Sequence, residues 1–129
     1  MNITFKSLLY LYQRATRGWA DCDAWDAHSY FNRIIPQVMR ELKRGTGCPS
    51  EFYDKKNINN ECKKWTDTLE EIAQGFEAAQ FLDSGKYVQF KKVKQHYELV
   101  TDYEALENAK KKMERGLELF AKYYLNLWD

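Results

Sequence analysis

The sequence predicts an all-α fold, a single-domain bundle of four to five helices spanning residues 1–129. Three observations predict it. Apolar residues recur at steps of three and four along most of the chain. Aromatic residues make up 16% and charged residues 30%, the balance of a few large buried anchors inside a solvated shell. With 129 residues the chain can enclose one hydrophobic core without metals or bridges.

Residues 2 to 17 carry Phe5, Leu8, Leu9 and Tyr12 at helical spacing beside Lys6, Arg14 and Arg17, with no acid before Asp21. This pattern predicts a basic amphipathic helix. A rival strand through Ile3 and Phe5 finds little to pair with. Gly18 breaks the segment, and Asp21 or Asp23 can then cap a second helix, where a carboxylate accepts from orphan N–H groups and favours the positive dipole end. Its apolar positions, Trp25, Tyr30, Phe31, Ile34, Ile35, Val38, Met39 and Leu42, build one wide buried stripe. Pro36 lies inside it and predicts a kink rather than a break, because the periodicity continues beyond it. Lys43-Arg44-Gly45 supplies the stop.

Thr46 to Asn60 has loop composition, with one short turn around Glu51 to Tyr53, and belongs on the surface. From Glu61 to Phe81 the residues Trp65, Leu69, Ile72, Ala73, Phe76 and Ala79 share a helical face, ended by Asp83-Ser84-Gly85. Gly75 in mid-helix costs about 1 kcal/mol against alanine, which predicts a close neighbour there. Lys86 to Leu99 reads as a helix through Tyr87, Phe90, Val93 and Tyr97, although Tyr87 to Phe90 could equally extend as a strand. Thr101-Asp102-Tyr103-Glu104 has the form of a capping box. The last helix follows it to the chain end through Leu106, Ala109, Met113, Leu117, Phe120, Tyr124 and Leu127, a seam suited to antiparallel packing.

Composition narrows the functional classes. The net charge of +1 gives bulk electrostatics no hold on nucleic acid or membrane. The three cysteines, Cys22, Cys48 and Cys62, are odd in number and widely spaced, so they form neither a disulfide framework nor a C-x-x-C site. A reducing cytosol is expected. The apolar run Leu8 to Tyr12 is too short for a membrane span and lacks the features of a signal peptide.

No Ser-His-Asp set, P-loop, nucleophile elbow or dinucleotide fingerprint is present, so no catalytic residue is nominated. Asp21, Asp23, Asp26 and His28 could offer hard ligands to a metal, but capping already explains the first two, and no metal or cofactor is expected. Asp67, Glu70, Glu71 and Glu77 could offer carboxylates on one helix, and Glu70, Glu71 and Glu77, together with the Asp21 cluster, would serve the alternative of a metal-dependent, all-α nucleotide pyrophosphohydrolase. The third position after Glu70-Glu71 is Gln74, which departs from the Glu-Glu-x-x-Glu run of those enzymes. A solvated acidic face accounts for the same residues.

Lys86, Lys91, Lys92 and Lys94 interleave with Tyr87, Phe90 and Tyr97, the mix single-stranded nucleic acid favours. This second alternative yields to amphipathic packing, with rings inward and a lysine-rich outer face, given the near-zero net charge. Trp19, Asp21, Asp23, Trp25 and Trp128 are the nominated binding residues. Trp19 and Trp128 stand at element ends, where indoles can meet a partner.

Three ordered blocks carry a resemblance: Gly18-Trp19-Ala20-Asp21-Cys22-Asp23-Ala24-Trp25, then Glu71-Ile72-Ala73-Gln74-Gly75-Phe76-Glu77-Ala78, and Phe120-Ala121-Lys122-Tyr123-Tyr124-Leu125-Asn126-Leu127-Trp128-Asp129. Together they resemble a family of small uncharacterised bacteriophage proteins over roughly residues 14 to 129. Residues 84–99 stand as an insertion relative to that family, and His28-Ser29 departs from its pattern. The resemblance implies a phage accessory protein in the host bacterial cytoplasm. It would act by binding, either modulating a host protein or countering a defence system by inhibition or by sequestering a small signalling molecule. No membrane partner is expected, the charge argues against nucleic acid, and a homo-oligomer is allowed.

Overall fold

A computed structural model describes residues 4–53 and 58–128. Seven main elements follow in order: α1 (Phe5–Arg17), α2 (Asp21–Trp25), α3 (Ala27–Leu42), α4 (Ile58–Ser84), β1 (Val88–Val93), β2 (His96–Thr101) and α5 (Tyr103–Lys122). Short 3-10 turns stand at Ser50–Phe52 and Tyr124–Asn126. The fold is mostly helical, as expected, but it includes a two-stranded antiparallel sheet. Among the described residues no helix is long and apolar enough to cross a membrane. The chain divides into two compact units, one ending at Phe31 and the other beginning at Asn32.

In the first unit Thr4 caps α1 by accepting from the Ser7 N–H. Gly18 ends the helix at φ 82, a left-handed conformation that glycine enters without Cβ strain. The expected single helix from Asp21 to Leu42 is interrupted: Asp26, at φ −140 and ψ 64, separates α2 from α3. The residue flanking α2 is Ala20, and Asp23 caps the helix from its first turn by accepting the Ala20 N–H, while Asp21 sits in the first turn beside it. Trp25 is 77% exposed and falls outside any buried stripe, because the interruption turns it away from the face that α3 would have continued. Ile3 lies outside the described residues.

The second unit is built around α4, whose Leu69, Ile72 and Ala73 are fully buried. Met39 of α3 and Trp65, Phe76, Leu119 and Tyr123 complete the core, with Ile35, Leu42 and Phe120 packed against it. Full burial of each large aliphatic side chain contributes about 1.5–3 kcal/mol. Helix α3 runs unbroken through Pro36, which is itself buried.

The close neighbour expected at Gly75 is Gly116. A Cβ built on either glycine would stand 2.5 Å from the other's Cα, so only a pair of glycines lets α4 and α5 cross this tightly. That crossing also sets the rotation of α5. Its buried seam is Ala109, Gly116, Leu119 and Tyr123, while Leu117 and Tyr124 of the expected seam are exposed.

Two further expectations are revised. The last helix stops at Lys122 instead of reaching the terminus. The segment after α3 is not purely superficial: Pro49 is buried, and Phe52 stacks at 5.5 Å on Trp65 and 5.3 Å on Tyr123. Burying those rings requires the chain to return to the core. The part of that expected loop at 54–57 lies outside the described residues.

The helix expected over 86–99 is an antiparallel hairpin instead, with Val88 opposite Thr101, Phe90 opposite Leu99, Lys92 opposite Tyr97 and Val93 opposite His96. Val88, Val93 and Val100 with the aromatics suit a pleated backbone better than a helix, where β-branched side chains lose χ1 freedom. The ladder is continued at its base by a 2.7 Å bond from the Asp102 N–H to the Tyr87 carbonyl. The Asp102 carboxylate then caps α5 by accepting from the Ala105 N–H at 3.0 Å.

Candidate binding surfaces

In the first unit the polar side of α1 is tied to the start of α2. The Arg14 guanidinium donates twice to Asp23, at 2.7 and 3.1 Å, and the same carboxylate accepts the Ala20 N–H at 2.8 Å. This bidentate geometry raises the Arg14 pKa above its ordinary value, chiefly through the Asp23 hydrogen bond. Arg17 donates to Asp21, and Gln13 both donates to the Asp21 carboxylate at 2.7 Å and accepts the Asp21 N–H at 2.9 Å. These bonds, Arg17's first, hold the Asp21 carboxyl below the usual range. The Arg17 guanidinium also lies 3.8 Å from the Trp19 ring centroid, and Trp25 meets Tyr10 edge-on at 6.3 Å.

Trp19, Asp21 and Asp23 therefore belong to one latch between α1 and α2, with Trp25 on its flank. Their contacts are structural: the carboxylates are engaged by Arg14, Arg17, Gln13 and a backbone N–H. Asp26 pairs locally with His28 at 2.8 Å. Trp128 belongs to the second unit and is exposed.

Because the latch uses the polar side of α1, the apolar side is turned outward. Phe5, Leu8, Leu9 and Tyr12 stand at i, i+3, i+4 and i+7 and are 42–84% exposed, and α1 has no buried residue. Sequence reading found this stripe as one face of a basic amphipathic helix. The available signal was the order of charges: a basic helix followed directly by Asp21 and Asp23 satisfies its cations at home, and the opposite face is left over.

In the second unit Glu70, Glu71 and Glu77, three of the acids considered for metal chemistry, each meet cations. Arg40 of α3 reaches Glu77 and, at 3.0 Å, Glu70, while Lys43 donates to Glu70 at 2.7 Å. Hydrogen bonds from Arg40 first and Lys43 second lower the Glu70 carboxyl to about 2, and Arg40 is raised in return. Glu71 lies 3.4 Å from the Arg115 guanidinium. These pairs fasten α3 and α5 to α4, as an ion-pair network does when one carboxylate is shared between two cations. An open groove of about 370 Å³ between α4 and α5 is lined by Gln74, Phe81, Asn108 and Lys112 among others.

The hairpin is the second exposed apolar surface. Alternation along the strands places Phe90, Lys92, Tyr97 and Leu99 on one face. Compared with protein-family models, with curated proteins and with solved structures, the chain matches none.

Proposed function

We propose that this chain is a binding protein rather than an enzyme, and that α1 is its docking element. The observation that carries this reading is the outward stripe of Phe5, Leu8, Leu9 and Tyr12, set on a helix whose polar side is already latched. The spacing i, i+3, i+4, i+7 is that of helices which lay an apolar face into a groove on another protein. Arg14 and Arg17 are neutralised by Asp23 and Asp21, so an uncharged, apolar groove is a better match than an anionic surface. The latch also pre-organises α1, since a free segment of this length would lose much of its affinity to ordering.

The resemblance to small phage proteins supports a host protein as the owner of that groove, with modulation of the host or of its defences as the outcome. The test is capture from infected bacterial cells with the full chain and with Leu8→Glu/Leu9→Glu, followed by titration of the purified captured protein. The reading expects saturable binding that the double variant weakens by more than about tenfold, as loss of two central anchors should. Equal affinity of the two chains, or concentration-dependent self-association abolished by the same substitutions, would refute it.

A further inference from the structure

We infer that the β1–β2 hairpin is a site for single-stranded nucleic acid, with Phe90 and Tyr97 as stacking surfaces and Lys86, Lys92 and Lys94 as phosphate contacts, Lys91 lying on the opposite face across from Glu98. The sequence-based argument against such a partner required the rings to pack inward and leave only lysines outside. The structure removes that premise. Phe90 is 73% and Tyr97 68% exposed, and Leu99 beside them is exposed as well.

The register decides how these groups are arranged. Lys92 is directly opposite Tyr97 and Phe90 directly opposite Leu99, so the two rings are diagonal neighbours on one face, with Lys92 adjacent to both positions. Diagonal positions on an antiparallel pair stand about 7–8 Å apart, far enough for each ring to take its own base. A single strand lying across this face can therefore place bases on both rings while its backbone passes Lys92. Bases in a duplex have no free faces for the rings, which favours the unpaired strand.

Charge points to the same ligand. Between Lys86 and Thr101 there are four lysines and one acid, Glu98, and Glu98 bonds His96 at 2.9 Å. None of the four lysines has an ion-pair partner among the described residues, whereas Arg14, Arg17, Arg40, Lys43 and Arg115 all do. The chain's net charge of +1 thus conceals a basic ribbon offset by a net acidic remainder. A partner with an apolar groove would leave these lysines unanswered.

The experiment is fluorescence anisotropy of the full chain with a labelled oligothymidylate of about twelve nucleotides, a length within the range single domains cover. Three phosphate contacts predict a Kd that rises roughly twentyfold between about 50 and 200 mM salt. Phe90→Ala/Tyr97→Ala should weaken binding by about tenfold or more, Phe90→Tyr should retain it, and Lys110→Glu on α5 should leave it within about twofold. Amide exchange across the hairpin confirms that the double variant keeps its ladder. The inference is overturned by absence of binding at the lower salt, by affinity indifferent to loss of both rings, or by duplex bound as tightly as the single strand. It is equally overturned if sedimentation shows a dimer that the ring substitutions dissolve, since a second copy would then cover this face.

Discussion

Helices α1 and α5 are both amphipathic, and they use that property in opposite ways. α5 lays Ala109, Gly116 and Leu119 against its own unit and, apart from Arg115 paired with Glu71, keeps its charges in water. α1 turns its charged side to α2 and leaves Phe5, Leu8, Leu9 and Tyr12 exposed. The difference lies in what each polar face finds nearby. α5's Glu104, Glu107, Lys110 and Lys111 sit on the solvent side, whereas Arg14 and Arg17 of α1 meet two aspartates within nine residues. An apolar stripe thus identifies a face that seeks cover, and the neighbouring charges decide whether the chain itself provides it.

The contrast can be broken or sharpened by substitution. Leu69→Ala empties a fully buried site of the second unit and should destabilise the protein by about 2–5 kcal/mol in denaturant unfolding. Gly116→Ala places a Cβ 2.5 Å from the Gly75 Cα. The helices must separate, at a cost of about 1–3 kcal/mol, visible as a lower melting temperature with unchanged helical circular dichroism.

Glu70→Gln tests the ionic fastening. Its folded pKa of about 2 lies below the ordinary 4.5, so its contribution is fully present above pH 4.5 and is lost as pH falls toward 2. Water reaches this pair, and the expected difference between wild type and variant is about 1 kcal/mol at neutral pH. It should vanish in unfolding curves taken near the lower pKa.

Two smaller effects concern the exposed regions. Lys94→Gly relieves a side chain held at φ 56 in the hairpin turn. After glycine's greater freedom in the unfolded chain is subtracted, about 0.5 kcal/mol of slower amide exchange across β1 and β2 should remain. Leu9→Ser on the α1 stripe should change unfolding free energy by no more than about 0.5 kcal/mol, the range of surface substitutions. A large loss there would mean that α1 buries this face and would erase the contrast with α5.

Much of the helical framework was legible because spacing reports helical faces directly: Trp65, Leu69, Ile72 and Phe76 on α4 are buried as expected. Gly75 announced the helix crossing by its own improbability, since nothing but close approach rewards a glycine in mid-helix. The hairpin was misread because Tyr87, Phe90, Val93 and Tyr97 also happen to fall at steps of three and four. Its turn, Lys94-Gln95, contains none of the glycine or asparagine that normally marks a two-residue connection. The break at Asp26 was equally silent, as an aspartate inside a polar stretch reads as helix surface. Of the candidate site, the aspartates and Trp19 were visible as a cluster, but their partners Arg14, Arg17 and Gln13 come from the preceding helix. Only the turn at Gly18 brings those side chains back onto them.

The glycine crossing has a consequence for the ribbon above it. Helices that touch backbone to backbone cannot roll or slide on compressible side chains, so the two ends of the hairpin, one moored to each helix, start from a fixed footing. Strands of six residues rising about 3.4 Å each carry the Lys94 tip about 20 Å from that footing. A single methyl group added at Gly116 would therefore act like a shim beneath a mast, redirecting the tip.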